Sequence, residues 1–125
     1  MTEIYNEFEK WLNSLLENIV TDNIKAFNFN LYDEEDETYG VQLIGADEFS
    51  ESDADWACSE VYSSEEDIFY IDHSDETASD PLIGLEFICG LVSRYLELGV
   101  YREKLKAVTA VGAGFIDGDI ILVNS

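Results

Sequence analysis

Between Ala26 and Ser93 the chain has no lysine and no arginine, although those 68 residues hold 19 aspartates and glutamates. Over all 125 residues there are six basic side chains against 28 acidic ones, a formal net charge of −22, with one histidine, two cysteines and one proline. Each scarcity excludes something. Affinity for nucleic acid comes mainly from Lys and Arg neutralising phosphates, so a chain this poor in cations is not expected to bind nucleic acid directly. One His and two separated cysteines, Cys58 and Cys89, do not make the clustered ligand set of a zinc site. Both cysteines stand among apolar residues (Trp56-Ala57-Cys58 and Phe87-Ile88-Cys89) and read as small buried hydrophobes. No run approaches the roughly 18 apolar residues of a membrane-spanning helix. No basic segment leading into an apolar run stands at the N-terminus, so a cytoplasmic protein without a signal peptide or membrane association is expected.

What is present is a core. The apolar fraction is 46%, with seven Phe, seven Tyr and two Trp, which separates the chain from charge-rich disordered sequences of low hydrophobicity. Residues 1–125 therefore read as one folded domain in an acidic coat. Like charges repel across a compact domain, so so large a surplus needs a reason beyond solubility.

Periodicity supplies the elements. Ile4, Phe8, Trp11, Leu12, Leu15, Leu16 and Ile19 form one stripe at helical spacing, predicting a helix over 3–20. The period then changes to two: Phe27, Phe29 and Leu31 alternate with Asn28, Asn30 and Tyr32, and Tyr39, Val41 and Leu43 alternate after an acidic turn, which predicts an antiparallel hairpin. Further strands are expected over 56–62 and 68–71. Asp80-Pro81 opens a second, largely buried helix that Gly99 closes. In the tail, Asp117-Gly118 between apolar runs predicts a second hairpin. Helix, four strands, helix and two strands make an α+β domain: a mostly antiparallel sheet of about six strands with two main helices packed on one face.

Motifs for chemistry are weak. The run Asp33-Glu34-Glu35-Asp36-Glu37 lacks the glycine of a calcium loop, and Asp53-Ala54-Asp55 is followed by Trp56 where a ligand would be needed. With 28 carboxylates, close pairs arise by chance and do not identify an acid and base. His73 lies in an acidic polar loop with no nucleophile elbow nearby. Gly112-Ala113-Gly114 lacks the Lys-Ser/Thr of a phosphate loop. No catalytic, cofactor-binding or metal-binding residue is assigned, and no enzyme activity is expected. Four of the six cations, Arg94, Arg102, Lys104 and Lys106, fall within 13 positions near the end of the second helix, where they offset its dipole and pair with Glu97 and Glu103.

The acidic segments are the candidate binding residues: Asp33, Glu34, Glu35, Asp36 and Glu37; Asp47, Glu48, Glu51, Asp53 and Asp55; Glu65, Glu66 and Asp67. Adjacent in the fold, they would recognise a strongly positive protein, since complementary fields speed association and suppress wrong partners. The stretches Phe27-Asn28-Phe29-Asn30-Leu31-Tyr32, Asp55-Trp56-Ala57-Cys58 and Val111-Gly112-Ala113-Gly114-Phe115-Ile116-Asp117-Gly118-Asp119 resemble a family of small acidic bacterial proteins that serve as immunity partners of polymorphic or contact-dependent toxins. The resemblance implies a non-catalytic inhibitor that covers the active site of a basic toxin or nuclease domain, with no site residue transferable from the motifs. Mimicry of nucleic acid towards basic host proteins is the alternative within binding proteins, and a small hydrolase or metal-dependent enzyme the alternative outside them.

Overall fold

Alternation and helical spacing are realised nearly where the sequence places them. The computed structural model describes residues 2–19, 23–33, 38–50, 56, 60–64, 68–72, 81–115 and 120–124. Its elements are α1 (Thr2–Leu16), β1 (Ala26–Asp33), β2 (Thr38–Ala46), β3 (Glu60–Ser63), β4 (Phe69–Asp72), α2 (Pro81–Leu98), α3 (Arg102–Lys106), β5 (Ala110–Phe115) and β6 (Ile121–Asn124). The class is α+β, as the element order implies. The short α3 is an addition to the expectation.

One six-stranded sheet runs β3-β2-β1-β5-β6, with β4 also paired to β2. β3 covers the Ile44–Ala46 end of β2 and β4 its Thr38–Val41 end, both antiparallel. They act as one interrupted edge strand. The expected strand over 56–62 begins later, at Glu60. Trp56 packs instead in a small cluster with Ala26, Ile44, Ala46 and Ala110, its ring edge-on to Phe49 at 5.4 Å. Small side chains on that face leave room for an indole that a strand position would not.

β5 lies parallel to β1, Ala26 opposite Ala110 and Leu31 opposite Phe115. The helix length explains the direction. Eighteen residues of α2 span about 27 Å at 1.5 Å per residue, and the eight steps of β2 span about 27 Å at 3.4 Å. α2 thus carries the chain back along the whole sheet, and β5 restarts beside the start of β1.

The main core lies between the helices and one sheet face. Phe27, Phe29 and Leu31 of β1 and Tyr39, Val41 and Leu43 of β2 meet Phe8, Leu12 and Leu16 of α1 and Ile88, Val92 and Tyr95 of α2. Phe8, Trp11, Phe29 and Phe69 form a mutual ring cluster with centroids 5.5–6.4 Å apart. α1 stops at Leu16 rather than near residue 20 because its bonds tighten to i→i−3 at Asn18 and Ile19. Its last carbonyls then find a distant cap: Lys104 Nζ donates to the oxygens of Leu16 and Ile19. That is the cation a helix C-terminus favours, brought from 88 residues away.

Two glycines of α2 have opposite roles. A Cβ on Gly84 would stand 2.6 Å from the ring of buried Tyr39, whereas one on Gly90 meets nothing within 4 Å. Gly84→Ala is therefore expected to lower stability by about 1–3 kcal/mol through overpacking, and Gly90→Ala to raise it by about 0.5–1 kcal/mol through helix propensity. Denaturant unfolding measures both. A stabilised Gly84→Ala would contradict the packing described.

Two buried phenols set an alkaline limit. Tyr95, fully buried, donates to Asn13 Oδ1 and accepts from the Tyr101 amide at 3.2 Å. Burial pushes its pKa up to about 12. Tyr5 donates to Glu9 Oε2 at 3.1 Å, and burial together with that carboxylate also lifts it to about 12. Folding favours the neutral phenol, so the associated stability is fully present below the unfolded value of about 10 and disappears as pH climbs from about 10 to 12. The melting temperature should fall through that window, with Tyr95 contributing on the order of 2 kcal/mol. Tyr95→Phe should flatten the decline; an equally steep one in that variant would assign the effect elsewhere.

Candidate binding surface

Strand register decides which acidic segments leave the sheet together. Asp33 closes β1 opposite Tyr39, Thr38 pairs with Asp72 at the end of β4, and Phe115 ends β5 opposite Leu31. The chain leaves the described sheet at this one end three times: after Asp33, after Asp72 and after Phe115. Counted from the sequence, 33–37 brings five carboxylates, 72–80 four and 116–119 two, eleven of the 28. The segment after β2 departs from the other end, where Ala46 pairs with Ala26. It carries Asp47, Glu48, Glu51, Asp53 and Asp55. Glu65, Glu66 and Asp67 stand in sequence between β3 and β4, both of which pair with β2.

Asp33 is the last residue of β1, and Asp47 and Glu48 are exposed just beyond β2. Glu34, Glu35, Asp36, Glu37, Glu51, Asp53, Asp55, Glu65, Glu66 and Asp67 lie outside the described residues, as do His73 and Cys58.

Four of the six cations stand at the end of the sheet where β1 and β5 begin. Lys25 precedes β1, its amide bonded to the Ala46 oxygen and its own oxygen to the Thr109 amide, and Arg102, Lys104 and Lys106 lie on α3 just before β5. Several are engaged internally. Lys104 caps α1, Arg102 Nη1 donates to the Gly99 oxygen at 3.0 Å with its Nε 3.9 Å from Glu103, and Arg94 stacks over the Tyr5 ring at 4.5 Å. Helix ends and an aromatic face, more than carboxylates, occupy these side chains. The helix-dipole role expected of them therefore extends to α1 as well as α2.

The sheet face opposite the helices carries a polar ladder that alternation alone marks as outward. Tyr32 donates to Gln42 Oε1 at 2.8 Å and Asn28 to Asn30 Oδ1. Asn28 is nevertheless buried, its Oδ1 without a partner among the described residues. Gly112 lies beside it in register, and a Cβ there would approach that oxygen to 3.0 Å.

Among the described residues no three His, Cys, Asp or Glu side chains group as metal ligands. Cys89 is a half-buried free thiol whose pKa is raised by burial and by Glu86, which works against a reactive thiolate. No helix among the described residues is long and apolar enough to cross a membrane. Reading the sequence linearly does not show that the chain leaves the sheet after Asp33, after Asp72 and after Phe115 at one and the same end; the register of β1, β2, β4 and β5 does. Compared with known proteins, the chain matches no family model, no curated protein and no solved structure.

Proposed function

We propose that this protein is a non-catalytic acidic inhibitor that neutralises a basic protein, a toxin or nuclease domain, by covering its active site in the cytoplasm. The observation that carries the reading is the departure of three acid-bearing segments from one end of the sheet while four of the six cations sit at the other. A domain with its charge so distributed presents a strong negative field in one direction. Such a field orients a cationic partner before contact and raises the encounter rate. A basic active-site cleft built to hold phosphates is a fitting target, because carboxylates complete the charge pairing its substrate would make. The immunity-protein resemblance of the β1, Trp56 and β5 stretches points the same way.

The test is titration of the protein against a panel of basic nuclease and toxin domains, at low and high salt, with nuclease activity read in parallel. Inhibition of one domain through a tight complex that persists at high salt is the expected result. Weak binding to every basic protein offered, abolished by salt and without inhibition, would overturn the proposal.

A further inference from the structure

We propose that two copies of this chain pair through α2, antiparallel, about a twofold axis at Gly90. The outer face of α2 is built as a self-complementary half of such a contact. Glu86, Gly90 and Arg94 follow one another at intervals of four, on one line of the helix surface. Glu86 and Gly90 are exposed and Arg94 partly so. With Phe87 and Leu91 they line a hollow of about 210 Å³.

Among the described residues nothing in the chain itself calls for Gly90. A side chain there would touch nothing within 4 Å, and glycine in mid-helix is unfavourable relative to alanine. A glycine notch does allow the backbone of a second helix to approach. Four residues on either side place Glu86 and Arg94 about 6 Å from it along the axis, in opposite directions. A twofold, antiparallel crossing sets Glu86 of each copy beside Arg94 of the other, which keeps its place over its own Tyr5 ring, two ion pairs flanking the notch, with the buried Phe87 and Leu91 as the floor of each hollow. Closed symmetry of this kind satisfies each patch with its own copy.

The position of the axis suits the charge. Gly90 lies at the middle of α2 (Pro81–Leu98), and the N-terminal end of that helix adjoins the segment holding Asp72, Asp75, Glu76 and Asp80. An antiparallel pair points the two acid-rich ends away from each other and leaves both open to partners. A parallel pair would bring them together.

Sedimentation velocity over a concentration series, at low and raised salt, tests the pairing on the intact protein without any toxin. A dimer should appear at high concentration and strengthen as salt screens the −22 charge on each copy. Gly90→Leu should weaken it at least tenfold while circular dichroism stays that of the folded chain. Glu86→Arg alone should weaken it similarly by setting two arginines together, and adding Arg94→Glu should restore it to within a few-fold. A monomer at every concentration and salt overturns the proposal. So does a dimer indifferent to Gly90→Leu, or a double charge swap no better than the single one.

Discussion

Replacing Glu34, Glu35 and Glu37 with lysine is expected to slow association with the basic partner by roughly ten- to a thousandfold at low salt, the range that electrostatic steering spans. The fold should be unchanged, because the segment between Asp33 and Thr38 starts and finishes in a ladder fixed by eight register pairs between β1 and β2. The loss should shrink as salt rises, since a field acting over more than about 8–10 Å is screened at physiological ionic strength. Dissociation should change far less than association, as befits charges that guide rather than anchor. A matched reversal in the segment after β2, Glu51→Lys with Asp53→Lys and Asp55→Lys, serves as the control and should have the smaller effect. Stopped-flow association of the two variants decides the matter. Equal slowing by both would mean that net charge, not its direction, governs encounter.

Phe8→Ala is expected to cost about 3–5 kcal/mol, the usual range for removing a buried aromatic ring. That is a large share of the roughly 5–15 kcal/mol by which domains of this kind are stable. Phe8 is fully buried and touches Trp11, Phe29 and Phe69 at centroid distances of 5.7, 5.9 and 5.5 Å. Those three rings belong to α1, the central strand β1 and the edge strand β4. Its removal therefore loosens helix, sheet centre and sheet edge together, and few neighbours can move in to fill the space. Phe8→Leu keeps most of the volume and should cost less than half as much. Chemical denaturation measures both, and a cost below about 1 kcal/mol for the alanine variant would contradict the packing of α1 on the sheet.

Much of this was legible in the sequence because each signal was local. The stripe from Phe8 to Leu16 and the alternation of Phe27, Phe29 and Leu31 need only neighbouring residues to be read. α3 escaped because five residues with Leu105 alone buried carry no period. Trp56 looked like strand because aromatics favour strands, and its place under Ala26, Ala46 and Ala110 depends on side chains far away in the chain. The parallel pairing of β5 with β1 was likewise hidden, since it follows from the length of α2 rather than from any motif. The acidic segments could be recognised as solvent-facing from composition. Which of them share an end of the sheet could not, because a strand's sequence does not state the neighbour opposite which it stops.

The bond from Lys104 to the end of α1 has a consequence for the order in which the protein takes shape during synthesis. Residues 2–16 emerge from the ribosome well before the cation that closes their helix, which is made about ninety residues later, and the strand beside β1 comes later still. An isolated helix of 15 residues is marginal in water. The nascent chain holds this amphipathic segment without its cap until α3 and β5 have been translated. Its folding is accordingly a late, long-range event, of the kind that favours slow rates and a need for protection from aggregation.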